Sequence, residues 1–330
     1  MTELGSGTAL PASSAASPTT GLASPEQMPA RTVSKDAQPR LSIVVIAQDE
    51  EHDIRACIES ALFADELVVV DGGSVDRTVE IAASYPGVRV IERPWAGYAP
   101  QWNFAISAAT GDWVMTLSAD EAITAELAVE LREAIESARY DALRASFQFY
   151  VFGRHLRFGI FQLHRELRCV RREMLLGMSD DLVHEHLLAA PEARSHNLAG
   201  KIVHKTYATR EECLRKSDRY IELEATELAA SIEQRGMHLM PFSLRDVLRA
   251  LRSSSGAGVS VRERLRPLKN SRPSYLTWFC GPLVRFLFDY VVCLGFLDGS
   301  TGLFLSRTGA AYTYRRYVRA QELLSAKRPQ

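Results

Sequence analysis

Three carboxylates each stand at or just past the end of an apolar run, and that recurrence is the first chemistry the sequence offers. Asp49 follows Leu-Ser-Ile-Val-Val-Ile (41–46), Asp71 closes Glu66-Leu-Val-Val-Val-Asp71, and Asp120 with Glu121 follows Trp113-Val-Met-Thr-Leu117. Any one of them alone is as readily a turn residue or a helix cap. Three converging on one sheet edge would hold a divalent cation and a ribose. A nucleoside diphosphate needs such a cation to neutralise it, and hard cations take carboxylate oxygens. The chain has no G-x-x-x-x-G-K-[ST] loop and no complete G-x-G-x-x-G fingerprint, which argues against an ATPase or a nicotinamide dehydrogenase.

The elements that must position these acids can be read from the same stretch. The runs at 41–46, 66–71, 88–91 and 113–117 are short, apolar and β-branched, as strands buried on both faces are. Between them lie helical patterns: Ile54 to Leu62, Asp76 to Ala83 after the Gly72-Gly73-Ser74 turn, and Asn103 to Ala109. Thr124 is placed to cap a helix running to about Ser137. Strands alternating with helices predict an α/β fold with a mainly parallel sheet. Ligands of such sheets bind beyond the C-terminal ends of the strands, where Asp49, Asp71 and Asp120 stand. From Asp141 the pattern changes to an antiparallel extension, with strands at 147–152, 167–171 and 202–207. An amphipathic helix follows over Glu211 to Ser231.

Composition bounds rather than decides. The chain has 330 residues, 46% hydrophobic and 24% charged, which suits a large globular domain with additions. Lys and Arg total 39 against 40 Asp and Glu, so net charge points to no nucleic-acid partner. The five cysteines have no C-x-x-C spacing and read as reduced, buried thiols of a cytosolic protein. Residues 1–39 are rich in Ala, Ser, Thr, Pro and Gly and read as a disordered tail. No basic start with an apolar block, the mark of a signal peptide, is visible.

A resemblance sharpens the reading. The stretches Ile46-Ala-Gln-Asp-Glu-Glu-His-Asp-Ile54, Ala64-Asp-Glu-Leu-Val-Val-Val-Asp-Gly-Gly-Ser-Val-Asp-Arg-Thr78, Gly97 with Gln101-Trp-Asn103, and Gly111-Asp-Trp-Val-Met-Thr-Leu-Ser-Ala-Asp-Glu121 resemble family 2 glycosyltransferases. The branch with the lipopolysaccharide-core β-glucosyltransferases is the most similar. Markers of that branch follow in order: Gly153-Arg154, Arg165 with Arg168, Val183-His-Glu185, His204-Lys-Thr-Tyr207, Arg219-Tyr220 and Gly295-Phe-Leu-Asp-Gly-Ser-Thr-Gly302.

The resemblance implies a GT-A type, Rossmann-like fold over 40–235, with the nucleotide-sugar part at about 40–125 and the acceptor part at about 126–235. It implies a uridine-type nucleotide-sugar donor, Mg²⁺ or Mn²⁺, and inversion by direct attack of an acceptor hydroxyl. By position, Asp71 would meet the nucleotide base. Asp49, Glu50, Ser74, Gln101, Asn103 and Ser118 would line the donor site. Asp120 would ligate the metal and serve catalysis, with His204 as a further metal or diphosphate contact. Glu185 is the candidate general base, because direct displacement needs a carboxylate to take the acceptor's proton. Asp180 and Asp181 are rival bases. His184, His186 and His204 could equally be ordinary hydrogen-bonded histidines. Arg154, Arg165 and Arg168 could clamp a diphosphate or an acceptor, or be solvated surface residues.

Three positions depart from the family's pattern, the first being Asp49, where Asn is usual. Ser118 stands where the first acid of Asp-x-Asp is usual, and Trp102 where a basic residue is usual. They keep a second reading open, a catalytically impaired paralogue that scaffolds a glycan-assembly complex. A third, a nucleotidyltransferase, would need a Gly-rich basic loop after the first strand, and Gln48-Asp-Glu-Glu51 is the opposite.

The extension over 236–330 turns basic between Arg245 and Arg272, then apolar over Tyr275 to Leu297. Gly281, Pro282, Arg285 and Asp289 interrupt that run. It therefore reads as an amphipathic segment lying on an anionic cytoplasmic membrane face rather than spanning it, with a buried or homodimer-forming helix as the alternative. A peripheral position on the inner face would suit a glycolipid or other envelope-glycan acceptor.

Overall fold

The structure, a computed structural model, describes residues 38–179, 185–234 and 275–326. The tail before Gln38, Asp180 to His184, and the basic run of 245–272 lie outside the described residues. From Pro39 onward the described residues belong to one compact unit.

Strand β1 (Leu41–Ala47) lies inside a nine-stranded sheet, third from one edge, and is buried along its whole length. It runs parallel to β2 (Glu66–Asp71) on one side and to β4 (Trp113–Ser118) on the other, and β2 runs parallel to β3 (Val88–Glu92). Alternation along β1 explains its double burial. Leu41, Ile43 and Val45 face α1 (Ile54–Ala61) and α4 (Ala125–Glu136), while Val44 and Ile46 face α3 (Tyr98–Ala108). The remaining helix of this half is α2 (Thr78–Ala83). Thr124 caps α4 as its sequence predicts, its side chain accepting from the Leu127 amide.

Helix α3 starts at Tyr98 rather than at Asn103. Gly97, at φ 103°, supplies the entry bend, and Pro100 falls in the first turn, where its missing N–H costs nothing.

Beyond β4 the sheet continues through β8 (Arg165–Arg171), β6 (Ala142–Val151), β11 (Ser195–Tyr207) and β5 (Glu121–Ile123), with β7 (Arg154–His155) beside β6. Strand β8 is antiparallel to both neighbours, as expected of the extension. Strand β11 differs from expectation: it has 13 residues, runs parallel to β6 and is antiparallel only to β5. Its first half, Ser195-His-Asn-Leu-Ala-Gly200, carries no apolar alternation, and the pairing shifts register between Asn197 and Lys201. A two-stranded ribbon, β9 (Leu175–Met178) and β10 (Leu187–Ala189), completes the β structure.

The long helix predicted over 211–231 is α5 (Arg210–Gln234). The apolar run from Tyr275 is not one helix. It forms α6 (Tyr275–Leu287), a π turn at Phe288–Val292 and a 3₁₀ turn at Gly295–Asp298, with Leu294 left-handed at φ 59°. Helix α7 (Gly299–Ala326) then packs back on α5 through Ala225, Leu228, Tyr317 and Ala320, and a buried ion pair joins Glu224 to Arg316. No helix among the described residues is long and apolar enough to cross a membrane.

The Gly295–Gly302 motif builds the joint between α6 and α7. A Cβ on Gly302 would lie 1.8 Å from the Gly295 carbonyl oxygen. The joint holds a loop of the sheet domain. Asp298 accepts the amides of Arg157 and Phe158, at 3.1 and 2.9 Å. Asp289, 3% exposed, accepts the Ile160 amide at 2.7 Å and the Ser306 hydroxyl at 3.0 Å.

Candidate active site

The registry of the parallel strands brings the strand-end acids to one edge. Ala47 pairs with Asp71 and Ile46 with Ser118, so the loops after β1, β2 and β4 leave the sheet side by side. Asp120 sits in the turn after β4. Its Oδ2 faces His204 Nε2 at 3.3 Å, each side chain 22% exposed. β11 delivers His204 because His204 pairs with Glu121 across β5.

Charge shapes this corner. Burial raises the Asp120 carboxyl, but the facing His204 outweighs it and holds the group below the usual carboxylate range. Burial opposes protonation of His204, yet the Asp120 and Glu121 carboxylates hold its pKa above the ordinary imidazole value. Burial, reinforced by the Asp120 charge, pushes Glu50 up to about 7. Lys216 of α5 was missed by the sequence reading, since its pairing with Glu212 four residues earlier reads as a surface helix pair. Its Nζ lies 3.0 Å from Glu212 and 3.4 Å from the Thr206 carbonyl. Burial lowers the Lys216 pKa, but Glu212, Asp120 and Glu50 together raise it.

Behind this pair lies a locked layer. Glu121, with a side chain 1% exposed, accepts Arg168 Nη2 at 2.7 Å and the Ser118 amide at 2.8 Å. Arg168 also meets Glu166 at 3.1 Å and stacks over Phe147, its guanidinium carbon 4.9 Å from the ring centroid. Its carboxylate neighbours outweigh burial, and Arg168 stays charged; it is neither solvated nor free to clamp a substrate. Arg154 is exposed on β7 and Arg165 half-buried at the start of β8.

Glu185 enters from the start of the segment leading to β10. Burial, joined by the Glu166 charge, holds its pKa above the usual carboxylate value, while its own backbone amide, the Arg168 charge and the Trp102 indole pull the other way. Trp102 is 3% exposed in α3. The position where the family's basic residue is usual therefore holds a neutral indole that acts on the candidate base. His186 is tied to Ser179, its Nδ1 2.8 Å from the hydroxyl. Asp180, Asp181 and His184 lie outside the described residues.

The other residues expected at the donor site have partners of their own. Asp71, 1% exposed, accepts the Gly73 and Ser74 amides at 2.8 Å each and the Ser74 hydroxyl, and so closes the Gly72-Gly73-Ser74 turn. Asp49, left-handed at φ 56°, knits the first loop to the second: its carboxylate accepts the Val75 amide and its amide donates to the Ser74 hydroxyl. Gln101 is fully buried and bonded to Arg93, side chain and carbonyl. Asn103 accepts the Met178 amide at 2.9 Å and anchors β9. Ser118 is half-buried, with its carbonyl facing the Cys57 thiol at 3.4 Å. The structure thus gathers Asp120, Glu121 and His204 by contact, with Glu50 and Lys216 joined to them electrostatically. Asp49, Asp71 and Ser74 form an adjacent loop knot, and Gln101 and Asn103 brace α3.

Comparison with known proteins agrees with this arrangement. The model of the family "Glycosyl transferase family 2" matches residues 42–177. An uncharacterized glycosyltransferase of Rickettsia typhi is 39% identical over 103 residues, which are 31% of this chain and 35% of that protein. The chain thus spans about a third of the length of that relative. LpsC of Rhizobium meliloti, named a lipopolysaccharide core biosynthesis glycosyltransferase, is 29% identical over 58% of this chain and 72% of its own. Among solved structures, the mannosyltransferase PcManGT of Pyrobaculum calidifontis is similar in fold, with a TM-score of 0.51 at 17% identity over 89% of each chain. Residues 42–177 of this chain thus match the family 2 glycosyltransferase model, and the fold that carries them is of the GT-A type.

Proposed function

We propose that the chain is an inverting, metal-assisted glycosyltransferase. Its donor would be a nucleotide-sugar, uridine-linked. Its acceptor would be an envelope polysaccharide, a lipopolysaccharide or a lipid-linked glycan, met at the cytoplasmic face of the membrane. The observation that carries this reading is the Asp120–His204 pair at the C-terminal edge of the parallel strands. Two cis ligands of one divalent ion, each bonded at about 2.1 Å, stand roughly 3 Å apart. The two donor atoms are 3.3 Å apart and open to solvent, so they fit an Mg²⁺ or Mn²⁺ ion. No group of three or more ligands occurs among the described residues, which suits an ion whose other positions are taken by diphosphate oxygens and water. Such an ion would neutralise the departing diphosphate.

The chain's own residues would do the rest. Lys216, charged beside Asp120 and Glu50, adds positive charge on the diphosphate side. Glu185 would take the acceptor proton; a carboxylate made more basic by burial is better matched to neutral pH. The Asp49, Asp71 and Ser74 knot would fix the loops that cradle the nucleoside. The likeness to LpsC supports an envelope-glycan acceptor.

The scaffold reading has its own support. Ser118 supplies no charge where the family's first acid stands, and Trp102 gives Glu185 a neutral donor where a cation is usual. Calorimetric titration of UDP with and without Mn²⁺, repeated on Asp120→Ala, separates the two. Metal-dependent binding that the substitution abolishes supports the transferase. If neither UDP nor any other nucleoside diphosphate binds, the transferase reading fails and the scaffold stands. Ser118→Asp with Trp102→Arg tests it from the other side: activity only in the double variant would mean that the native donor site is impaired.

A further inference from the structure

Helix α5 has two working faces. Glu212, Lys216 and Tyr220 point toward the acidic corner, whereas Arg210, Leu214, Ser217 and Ile221, at helical spacing, line a cleft shared with α7. The cleft has a volume of about 520 Å³, within the range of small-molecule sites. From α7 it receives Leu303, Phe304, Arg307, Tyr312 and Arg315, among others.

Its chemistry is amphipathic and one-signed. Three guanidiniums line it and no carboxylate does. Arg315 is partly satisfied, pairing with Asp218 at 2.5 Å. Arg210 lies over the Phe304 ring at 5.0 Å. Neither Arg210 nor Arg307 has a carboxylate of the described residues within ion-pair distance, and both are exposed. Unpaired guanidiniums beside an aromatic and aliphatic floor suit a phosphate that carries an apolar chain. The cleft also opens onto an apolar surface. Leu214 is 45% exposed and Leu303 36%, and the turns just before α7 leave Val292, Phe296 and Leu297 at 66%, 44% and 52%. A monomer surface rarely leaves so many large apolar side chains exposed together without a use.

We propose that this cleft seats the phosphate headgroup of an anionic membrane lipid, with Arg210 and Arg307 on the phosphate and the exposed residues of 292–303 against the acyl region. The proposal rests on the peripheral membrane position proposed above and names the site and the lipid chemistry that produce it. The occupant is lipid-borne rather than a free phosphate, because Leu214 and Leu303 of the cleft wall are themselves exposed and the turns leading into α7 expose further large apolar side chains. One helix, about 10 Å across, separates the seat from the acidic corner. A lipid-linked acceptor held there would present sugars only a residue or two from its phosphate.

The test is co-sedimentation of the full chain with vesicles of phosphatidylcholine alone and with a third phosphatidic acid. Three variants are compared: Arg210→Ala with Arg307→Ala, Leu303→Gln, and Leu214→Gln. All four positions are exposed, and unchanged melting temperatures and UDP titrations certify the fold and the donor site. The expected result is that wild type binds the phosphatidic acid vesicles, the arginine pair variant binds at least tenfold more weakly, and the leucine variants weaken binding severalfold. Calorimetry with glycerol phosphate distinguishes the sources. Glycerol phosphate binding as tight as vesicle binding, unaffected by the leucine changes, would overturn the lipid in favour of a soluble phosphate. Equal vesicle binding by wild type and the arginine pair variant would overturn the seat while leaving peripheral attachment standing. If wild type binds neither vesicle, both fall, with the donor-site titration unaffected.

Discussion

Arg168→Met should unfold the site from behind, and the structure gives its size. Glu121 has a side chain 1% exposed, and among the described residues its closest cation is Arg168, at 2.7 Å; His204 Nδ1 is the next, at 3.9 Å. Removing one partner of a buried ion pair costs about 3–5 kcal/mol, because the other charge is left desolvated and unpaired. Methionine retains an apolar stem near Phe147 but loses the stacking, worth roughly 0.5–2 kcal/mol. We expect a loss of about 4 kcal/mol. The reverse change should be milder. In Glu121→Gln the Ser118 amide still finds an acceptor, and Arg168 still has Glu166 at 3.1 Å, so about 1–2 kcal/mol is expected. The double variant should fall short of the sum, as residues in one network do. Urea unfolding of the full chain, followed by circular dichroism, reads all three. The reasoning is refuted if Arg168→Met costs no more than Glu121→Gln, or less than about 1 kcal/mol.

Three further outcomes are expected. Glu50, with a carboxyl raised to about 7 by burial and by Asp120, is protonated more readily in the folded chain than in the unfolded one. Its contribution is therefore complete below about pH 4.5 and is lost as pH rises through about 7; Glu50→Gln should flatten up to roughly 3 kcal/mol of that decline in metal-free unfolding titrations. Trp102→Phe removes the indole donor from Glu185, so the Glu185 pKa should rise and the acidic limb of a kcat/KM–pH profile should move to higher pH. A limb that stays in place would mean that Glu185 does not govern it. Gly302→Ala puts a Cβ 1.8 Å from the Gly295 carbonyl, so the α6–α7 joint cannot close; the melting temperature should fall by several degrees and residues 157–160 should lose amide-exchange protection.

What was legible in the sequence is what periodicity encodes. β1, β2 and β4 announce themselves because both their faces are buried, and the acids at their ends then fall on one edge without knowledge of any contact. The partners across the sheet were not legible to that degree. His204 stands 84 positions after Asp120, and only the pairing of β11 with β5 sets that approach. Lys216 was hidden because a charge four residues after Glu212 is what any solvated helix shows. Gln101 and Asn103 stand at positions that resemblance gives to the donor, yet their visible bonds brace Arg93 and the Met178 amide, contacts that depend on where the chain returns. The break at Leu294 was equally invisible: a left-handed leucine inside an apolar run is imposed by the Gly295–Gly302 packing, and local propensity opposes it.

The grip of Asp289 and Asp298 on residues 157–160 also bears on the order in which a growing chain can finish itself. The Phe158 amide waits for a carboxylate 140 residues later. At about 5–20 residues per second of synthesis, that is a delay of roughly 7–28 seconds. The parallel pairing of β1, β2, β3 and β4 is complete by residue 118, while the 157–160 loop cannot satisfy its amides until the last helices emerge. A ribosome stalled shortly before Asp289 would thus carry a chain whose parallel strands can already pair and whose loop is still open, a natural target for quality control.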